Sequence, residues 1–264
     1  MDHDSDGPAS RIPLMADPAV ADRYAWLAGL VAPSAGERVV DLGCGESSVL
    51  ELVLAYLGHG IAVGIDNDRS ALPAARSSVP ASGPRALFVQ ADLADPLPLA
   101  DASMDVVFSH DVLEQLPDPD ALLGEVCRVL RPGGRLVLGH PDLDTAVLAG
   151  ADVRLTRRLV QAYCDTQHPW MPRADGTIGR RLPEIVLRSP LTLNQVTARV
   201  LLTRSLEEGG FGRFAIDHLV ETLATAGVAS STELAGWRAD LEAAACRGAF
   251  LLSLNDYVVV ASRR

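Results

Sequence analysis

Short apolar runs alternate with amphipathic segments along the first half of the chain. Five runs have the length and composition of a buried strand: 39–42, 61–65, 86–90, 105–109 and 135–139. Around and between them, apolar residues recur every three or four positions, which predicts helices at 17–31, 47–57, 68–78 and 119–130. Strands that alternate with helices indicate a parallel sheet with helices on both faces. The pattern therefore predicts an α/β fold.

The second half of the chain has more helical patterns than strand patterns. Apolar residues at helical spacing predict helices at 153–163, 189–208, 216–223 and 231–241. Near the end, two apolar runs at 250–254 and 257–261 flank Asn255 and Asp256, and this arrangement predicts a β-hairpin. With that hairpin the elements form a doubly wound, seven-stranded, mostly parallel sheet, in which one antiparallel strand completes the sheet.

Carboxylates stand where three of the predicted strands end. Asp41 closes the first strand, and Gly43 and Gly45 follow it, so the backbone can turn sharply and let a ligand approach closely. A bare Gly-x-Gly is more often a simple turn, but Asp66 and Asp92 follow the second and third strands. Because a parallel sheet brings these strand ends to one edge, the three carboxylates predict a polar ligand site there.

The residues at this edge favour a nucleoside without phosphate. Asp66 follows Gly43 by 23 residues, close to the interval of roughly 20 residues at which an acidic side chain meets a ribose. Glu46 directly follows Gly45 and puts negative charge where a dinucleotide would place its phosphate. The third glycine of the dinucleotide fingerprint is also missing. A ligand with ribose, adenine and cationic groups fits better, and S-adenosylmethionine is such a molecule.

Ordered motifs between 39 and 140 make the sequence resemble the class I S-adenosylmethionine-dependent methyltransferases; they lie at 41–45, 64–66, 90–92, 104–116 and 128–136. The resemblance implies a Rossmann-like fold, with S-adenosylmethionine as cofactor and S-adenosylhomocysteine as product. It also implies a set of cofactor-binding residues, namely Asp41, Gly43, Cys44, Gly45, Asp66, Asn67, Ala91, Asp92, Leu93, Ser109 and His110.

Within this set, Asp66 is expected to bind the ribose, because the nearby Asp68 is a good helix N-cap and already has a structural role. The Asp92 carboxylate is expected to accept the adenine amino proton, while the Leu93 amide donates to the ring. The alternative for Asp92 is an ordinary turn aspartate.

The chain divides into four predicted segments. Residues 1–35 form an acidic tail and a cap helix, and 36–142 form the Rossmann-like cofactor-binding core. Residues 143–212 form a helical lid, because the aromatic, polar and glycine-rich content from 143 to about 189 follows a strand at the ligand edge. A homodimer contact through the lid is the alternative. Residues 213–264 supply helices and the hairpin that completes the core.

Methyl transfer from a sulfonium needs an aligned acceptor and a site without water, and a hydroxyl acceptor gains from a nearby base. His140 and His110 are the candidate catalytic bases, since both are predicted at strand ends on the ligand edge and an imidazole titrates near pH ~6.5. The alternative is a histidine that bonds to the backbone or lines the cofactor site. The acceptor-binding candidates are Tyr24, Asp111, Asp142, His168 and Trp170.

A formal net charge of −11 argues against nucleic acid as a partner, although the arginines between 154 and 181 leave a local basic patch as an alternative to solvated helix faces. The cysteines show no metal-binding spacing, so no metal is expected. With no signal peptide or apolar stretch of membrane-spanning length, a cytoplasmic location and no membrane are expected. The predicted function is methylation of an O or N atom of a small molecule in secondary metabolism. The alternatives are a peptide or protein N-methyltransferase and an inert scaffold of the same fold.

Overall fold

The computed structural model describes residues 17–79, 84–167, 171–172 and 175–264. Seven strands form one sheet in the order β3-β2-β1-β4-β5-β7-β6. They are β1 (Arg38–Leu42), β2 (Ile61–Asp66), β3 (Arg85–Gln90), β4 (Met104–His110), β5 (Leu130–Ala149), β6 (Thr192–Thr203) and β7 (Leu251–Ser262). Strands β1 to β5 pair in parallel, and β7 runs antiparallel to both β5 and β6. The predicted mostly parallel, seven-stranded sheet is confirmed.

The described helices cover both faces of the sheet. They are α1 (Pro18–Val31), α2 (Ser48–Leu57), α3 (Ala71–Ser78), α4 (Pro119–Val129), α5 (Val153–Cys164), α6 (Ile178–Arg188), α7 (Phe211–Thr225) and α8 (Ser231–Cys246). One apolar core joins α1 and α2 to the sheet, and a second joins α4 and α6 to the opposite face. In the described part of the chain, no helix combines the length and apolar character that a membrane span requires.

A third apolar core lies beyond the ligand edge of the sheet. The pairing of His140 with Tyr257 means that β5 and β7 continue past the end of β4, which stops at His110. The extended parts of β5, β6 and β7 pack there against α5, α7 and α8, with Trp237 and Phe250 almost fully buried. This core forms a wall above the sheet edge, and the candidate site lies beside it.

The predicted helix at 189–208 is wrong, because residues 192–203 form β6. Leu193, Val196 and Val200 are spaced three and four apart, which imitates a helical stripe, but Val196 and Val200 are exposed on an edge strand. Several β-branched residues in this segment favour the strand.

The predicted C-terminal hairpin is also wrong, because β7 continues through Asn255 and Asp256 without a turn. The Asn255 amide donates to Thr145 Oγ1 at 2.9 Å, and the Asp256 carboxylate is buried against His110. These tertiary contacts hold the two polar residues inside a strand.

The described residues of the segment 143–212 do not form a separate helical lid. Strand β5 extends to Ala149 rather than ending at 139, and β6 belongs to the sheet. Helix α6 buries Ile178, Leu182 and Ile185 in the core of the sheet, because its apolar residues recur at helical spacing within a segment that looked glycine-rich and polar. Of this segment, α5 and the end of β5 contribute most to the candidate site.

Candidate functional site

A glycine turn follows β1 and shapes one wall of a groove. Gly43 has a φ of +77°, and its amide donates to the Ile65 carbonyl at 2.8 Å. A Cβ on Gly43 would lie 2.3 Å from Val112 Cγ2, so only glycine fits here. Gly45 has a φ of +47°, and a Cβ there would meet no atom within 4 Å. The Gly45 position therefore faces open space, which is the groove itself.

The groove has a volume of about 690 Å³ and runs along the ends of β1, β2 and β3. Its lining includes nine of the predicted cofactor residues: Asp41, Gly43, Cys44, Gly45, Asp66, Asn67, Asp92, Leu93 and His110. The other two lie just behind it. The Ala91 amide donates to the Asp66 carbonyl at 3.1 Å, and the buried Ser109 hydroxyl donates to the Leu42 carbonyl at 2.7 Å.

The Asp66 carboxylate links the glycine turn to β2. One oxygen accepts from the Gly45 amide at 2.7 Å, and the other accepts from the Asp68 amide at 2.8 Å. Each oxygen keeps a second lone pair for a ligand. Asp92 accepts from the Ala94 amide at 2.9 Å in the same manner. Burial raises the pKa of Asp41 well above its usual range, and the charge of Asp66 raises it further.

The acidic side chains that line the groove suit a ligand that combines an adenosine with a positive charge. Among the described residues, the lining of the groove contains no arginine and six acidic residues, namely Asp41, Glu46, Asp66, Asp68, Asp92 and Asp111. Carboxylates accept hydrogen bonds from ribose hydroxyls and from an adenine amino group, and they attract a cation, whereas a phosphate would be repelled. The acidic lining of the groove therefore suits a ligand of this kind, and Asp66 and Asp92 lie at the ends of β2 and β3 within it.

His110 ends β4 and closes the groove from the sheet side. Its Nε2 lies 2.8 Å from Asp256 Oδ2, and its ring meets the Tyr24 ring edge-on with centroids 6.0 Å apart. Burial alone would raise the pKa of Asp256, but the charge and hydrogen bond of His110, with help from Arg23, bring it below its usual value. His110 is thus anchored by a buried carboxylate and forms part of the groove wall.

A second cavity, of about 230 Å³, adjoins the groove. Its walls are mainly apolar and aromatic and come from α1, β5, α5, α7 and β7; they include Val20, Leu143, Leu148, Val160, Tyr163, Phe211, Phe214, Leu252 and Leu254. Tyr24, Asp111 and Gln115 line both cavities. A ligand in the groove and a ligand in the second cavity can therefore come into contact beside these three residues.

A cluster of Asp111, Glu114 and His140, of which Glu114 and His140 are buried, lies at this junction. His140 Nε2 bonds to the Glu114 carboxylate and lies 3.6 Å from Asp111 Oδ1, while Nδ1 lies 2.7 Å from the Pro141 carbonyl oxygen. Burial alone would lower the pKa of His140, but the charge and hydrogen bond of Glu114, with Asp111, raise it to about 9. With these two carboxylates beside it, His140 holds its proton at neutral pH, which does not suit the general base predicted from the sequence.

Glu114 is the residue of this cluster that the sequence analysis missed. It lies in a short 3₁₀ helix, Leu113–Gln115, and it is 8% exposed. The available signal was its position within the 104–116 motif, only a few residues after the end of β4. A glutamate buried this deeply requires a partner, and His140 provides it.

The remaining predicted acceptor residues do not all reach the cavities. Tyr24 and Asp111 line both of them. Asp142 is outside the lining residues and fully buried, where Arg180 binds it through two nitrogens at 2.6 and 2.7 Å. His168 and Trp170 lie outside the described residues.

Comparison with known proteins agrees with this geometry. A methyltransferase domain family matches residues 33–197. A 37.1 kDa protein of transposon Tn4556 from Streptomyces fradiae is 31% identical over 232 residues, which cover 86% of this chain and 62% of that protein. Methyltransferase GfsG from Streptomyces halstedii is 31% identical over 219 residues, which cover 79% of this chain and 71% of GfsG. The chain thus spans under two thirds of the transposon protein's length.

Among solved structures, the YcgJ protein from Bacillus subtilis has the same fold. It superposes with a TM-score of 0.59 over 92% of this chain and 99% of YcgJ. The two sequences are 16% identical, so the likeness concerns the fold alone.

Proposed function

Because the chain belongs to the class I S-adenosylmethionine-dependent methyltransferases, we propose that it methylates an oxygen or nitrogen atom of a small, largely apolar molecule, such as a secondary metabolite. The observation that carries this proposal is the apolar cavity of about 230 Å³ that adjoins the acidic groove. A cavity of this kind holds a small ligand by burial and orients it with a few polar groups.

The groove residues bind and orient the donor in this proposal. S-adenosylmethionine, when bound, supplies a methyl group on a positively charged sulfur that departs as a neutral thioether. Asp66 accepts hydrogen bonds from the ribose, and Asp92 with the Leu93 amide holds the adenine. Tyr24 lines both the groove and the adjoining cavity, and the anchored His110, whose ring meets that of Tyr24 edge-on, lines the groove.

The acceptor end is served by the cluster of Asp111, Glu114 and His140. Asp111 is the member that reaches solvent, with 44% of its side chain exposed, and it lines both cavities. We assign to it the contact with the acceptor's reacting group. His140, held between Glu114 and the Pro141 carbonyl, fixes the position of the cluster beside the middle of β5.

The two alternative functions fit the molecule less well. A peptide or protein acceptor needs an open cleft for its flanking residues, whereas this cavity is small and lined mainly by apolar residues of the third core. An inert scaffold has no use for six acidic residues in one groove, because clustered like charges cost stability unless a ligand or counter-ion offsets them.

Isothermal titration with S-adenosylhomocysteine, followed by a screen for its release from S-adenosylmethionine, tests the proposal. Hydroxylated and amino-substituted apolar molecules are offered together with a short peptide library. Binding of the product and turnover with a small molecule are expected. Binding of S-adenosylhomocysteine without turnover of any offered compound would favour the inert scaffold. Turnover of peptides alone would show that the acceptor is a peptide or protein rather than a small molecule.

An Asp66→Asn variant is expected to bind S-adenosylhomocysteine about 10- to 100-fold more weakly, the effect of losing hydrogen bonds to a charged group. The amide side chain keeps the size of the carboxylate but replaces one acceptor by a donor. Isothermal titration measures the change.

The matched control is Asp68→Asn, a change of the same kind at the next acidic position along the groove. Its affinity for S-adenosylhomocysteine is expected to remain within about twofold of the wild type, because its carboxylate binds the Ser70 amide and hydroxyl. The reverse result, with Asp68→Asn weakened and Asp66→Asn unchanged, would transfer the ribose contact to Asp68.

A further inference from the structure

The hydrogen-bonding geometry around His140 requires a positive charge, either a proton or a cation, between its Nε2 atom and the neighbouring carboxylates. Its Nδ1 lies 2.7 Å from the Pro141 carbonyl oxygen, which can only accept, so Nδ1 carries a hydrogen. In a neutral imidazole with that tautomer, Nε2 presents a lone pair. That lone pair points at the carboxylate of Glu114, and Asp111 Oδ1 lies 3.6 Å away. Three electron-pair donors thus converge, and either a shared proton or a cation must lie between them.

We propose that Asp111, Glu114 and His140 bind a divalent metal ion at the junction of the two cavities. One atom from each residue, the Nε2 of His140 and a carboxylate oxygen of each acid, lies within 4.8 Å of the other two, as ligands of one ion do. A metal-bound histidine almost always donates its other ring N–H to a carbonyl or carboxylate, which is the contact of Nδ1 with Pro141.

The donor set indicates which ions suit the site. One imidazole nitrogen with two carboxylate oxygens favours first-row ions such as Mn²⁺, Zn²⁺ or Fe²⁺, whereas Mg²⁺ and Ca²⁺ prefer oxygen ligands alone. Three protein ligands leave coordination positions free for other molecules. Glu114 and His140 are 8% and 4% exposed. Asp111 is partly exposed and faces both cavities, so the free positions would be reached from there.

The backbone geometry around Asp111 and Glu114 explains why their side chains meet that of His140. Asp111 adopts a φ of +61°, which an aspartate tolerates at some cost. The 3₁₀ helix at Leu113–Gln115 then turns Glu114 back towards His140, which lies in the middle of β5, one residue past the last pair of β4 with β5, His110 and Gly139. The turn after β4 and the middle of β5 thereby bring all three groups to one point.

This inference rests on the proposed function, and it narrows the acceptor class. A metal ion with free positions facing the apolar cavity would select acceptors with two neighbouring oxygens, such as a vicinal diol or a hydroxyketone. A hydroxyl bound to the ion loses its proton to water more readily than a free hydroxyl. The ion would also remove the need for His140 to act as a base.

Titration of the chelator-treated protein with Mn²⁺, followed by electron paramagnetic resonance of the free ion, tests the site. We expect one ion per chain, with nitrogen coupling from an imidazole in the pulsed spectrum of the wild type. Replacement of a ligand in Glu114→Gln or His140→Ala is expected to weaken Mn²⁺ binding by at least about tenfold, since even indirect partners of a metal change affinity by 10–100-fold. Asp92→Asn, which removes a carboxylate from the neighbouring groove, should leave Mn²⁺ affinity unchanged.

Each outcome bears on the site separately from the proposed function. Absence of stoichiometric Mn²⁺ binding, absence of nitrogen coupling, or equal affinity in wild type and Glu114→Gln would show that a shared proton fills the cluster, and would overturn the metal site. The wild-type spectrum gives this answer even where a variant does not fold. Turnover that persists in chelator leaves the proposed function intact without the metal. Loss of S-adenosylhomocysteine binding would reject the function and leave the Mn²⁺ titration unaffected.

Discussion

A Gly43→Ala variant is expected to lose about 2–4 kcal/mol of its free energy of unfolding, from left-handed backbone strain together with overpacking. The residue has a φ of +77°, and an added Cβ would lie 2.3 Å from Cγ2 and 3.1 Å from Cγ1 of Val112. Val112 is buried in the core of the sheet, so it cannot move away freely. Chemical denaturation of both proteins measures the difference.

Gly45→Ala is the matched comparison, because the same substitution two residues later has a different environment. Its φ of +47° costs about 1–2 kcal/mol in an alanine. Its Cβ meets nothing within 4 Å and points into the groove that we assign to the cofactor. We therefore expect a smaller loss of stability than in Gly43→Ala. We also expect the affinity for S-adenosylhomocysteine to fall by more than about tenfold, because the added methyl group would overpack the occupied site.

The pair of glycine variants separates a structural role from a ligand role. Equal losses of stability would show that backbone strain, rather than the contact with Val112, determines the effect at Gly43. Unchanged affinity in Gly45→Ala would mean that the ligand does not pass over this turn, and would contradict the position of the cofactor.

The first half of the fold was predictable because local signals agree with each other there. Each of β1, β2 and β3 is a short apolar run with an acidic residue within two positions of its end, and the helices after β1 and β2 follow the 3.6-residue period. Asp118 and Pro119 predict the start of α4, and the Asp118 side chain accepts from the Asp120 and Ala121 amides. These features involve residues close in the chain, so periodicity and capping suffice.

The predictions for the second half of the chain were wrong where contacts between residues far apart in the sequence determine the structure. The edge strand β6 contacts only β7 within the sheet, so its burial pattern is irregular and its apolar residues imitate a helix. Asn255 and Asp256 have the composition of a turn, yet the buried Asp256 is held in β7 by His110. Neither contact is visible from neighbouring residues.

The candidate site shows the same division. Most of the predicted cofactor residues follow strand ends and line the groove, because parallel strands bring their carboxyl ends together. Glu114 was missed because its partner, His140, is 26 residues away and meets it only when β5 pairs with β4. Asp142 was predicted as an acceptor ligand because it follows the predicted strand at 135–139, but it lies within β5, and Arg180, 38 residues later, binds its carboxylate.

An Arg180→Ala variant is expected to lose about 3 kcal/mol of its free energy of unfolding, near the lower end for breaking a buried ion pair because the arginine is partly exposed. The Asp142 carboxylate has no solvent exposure and would keep only the Arg180 amide, at 3.1 Å, of its present partners. Chemical denaturation measures the loss, and Arg188→Ala on the same helix is the control. Arg188 forms exposed pairs with Asp120 and Glu184, which contribute little to stability.

The double variant Asp142→Ala/Arg180→Ala shows whether the loss of stability in Arg180→Ala arises because the buried Asp142 carboxylate is left without its charged partner. Its loss of stability is expected to be smaller than the sum of the single losses, because removing the carboxylate also removes the unpaired buried charge. Since Asp142 lies outside the lining of both cavities, S-adenosylhomocysteine affinity should not change in the folded variants. If Asp142→Ala instead kept its stability and raised the KM for the acceptor, Asp142 would bind the acceptor, and the anchoring of α6 to β5 would need another explanation.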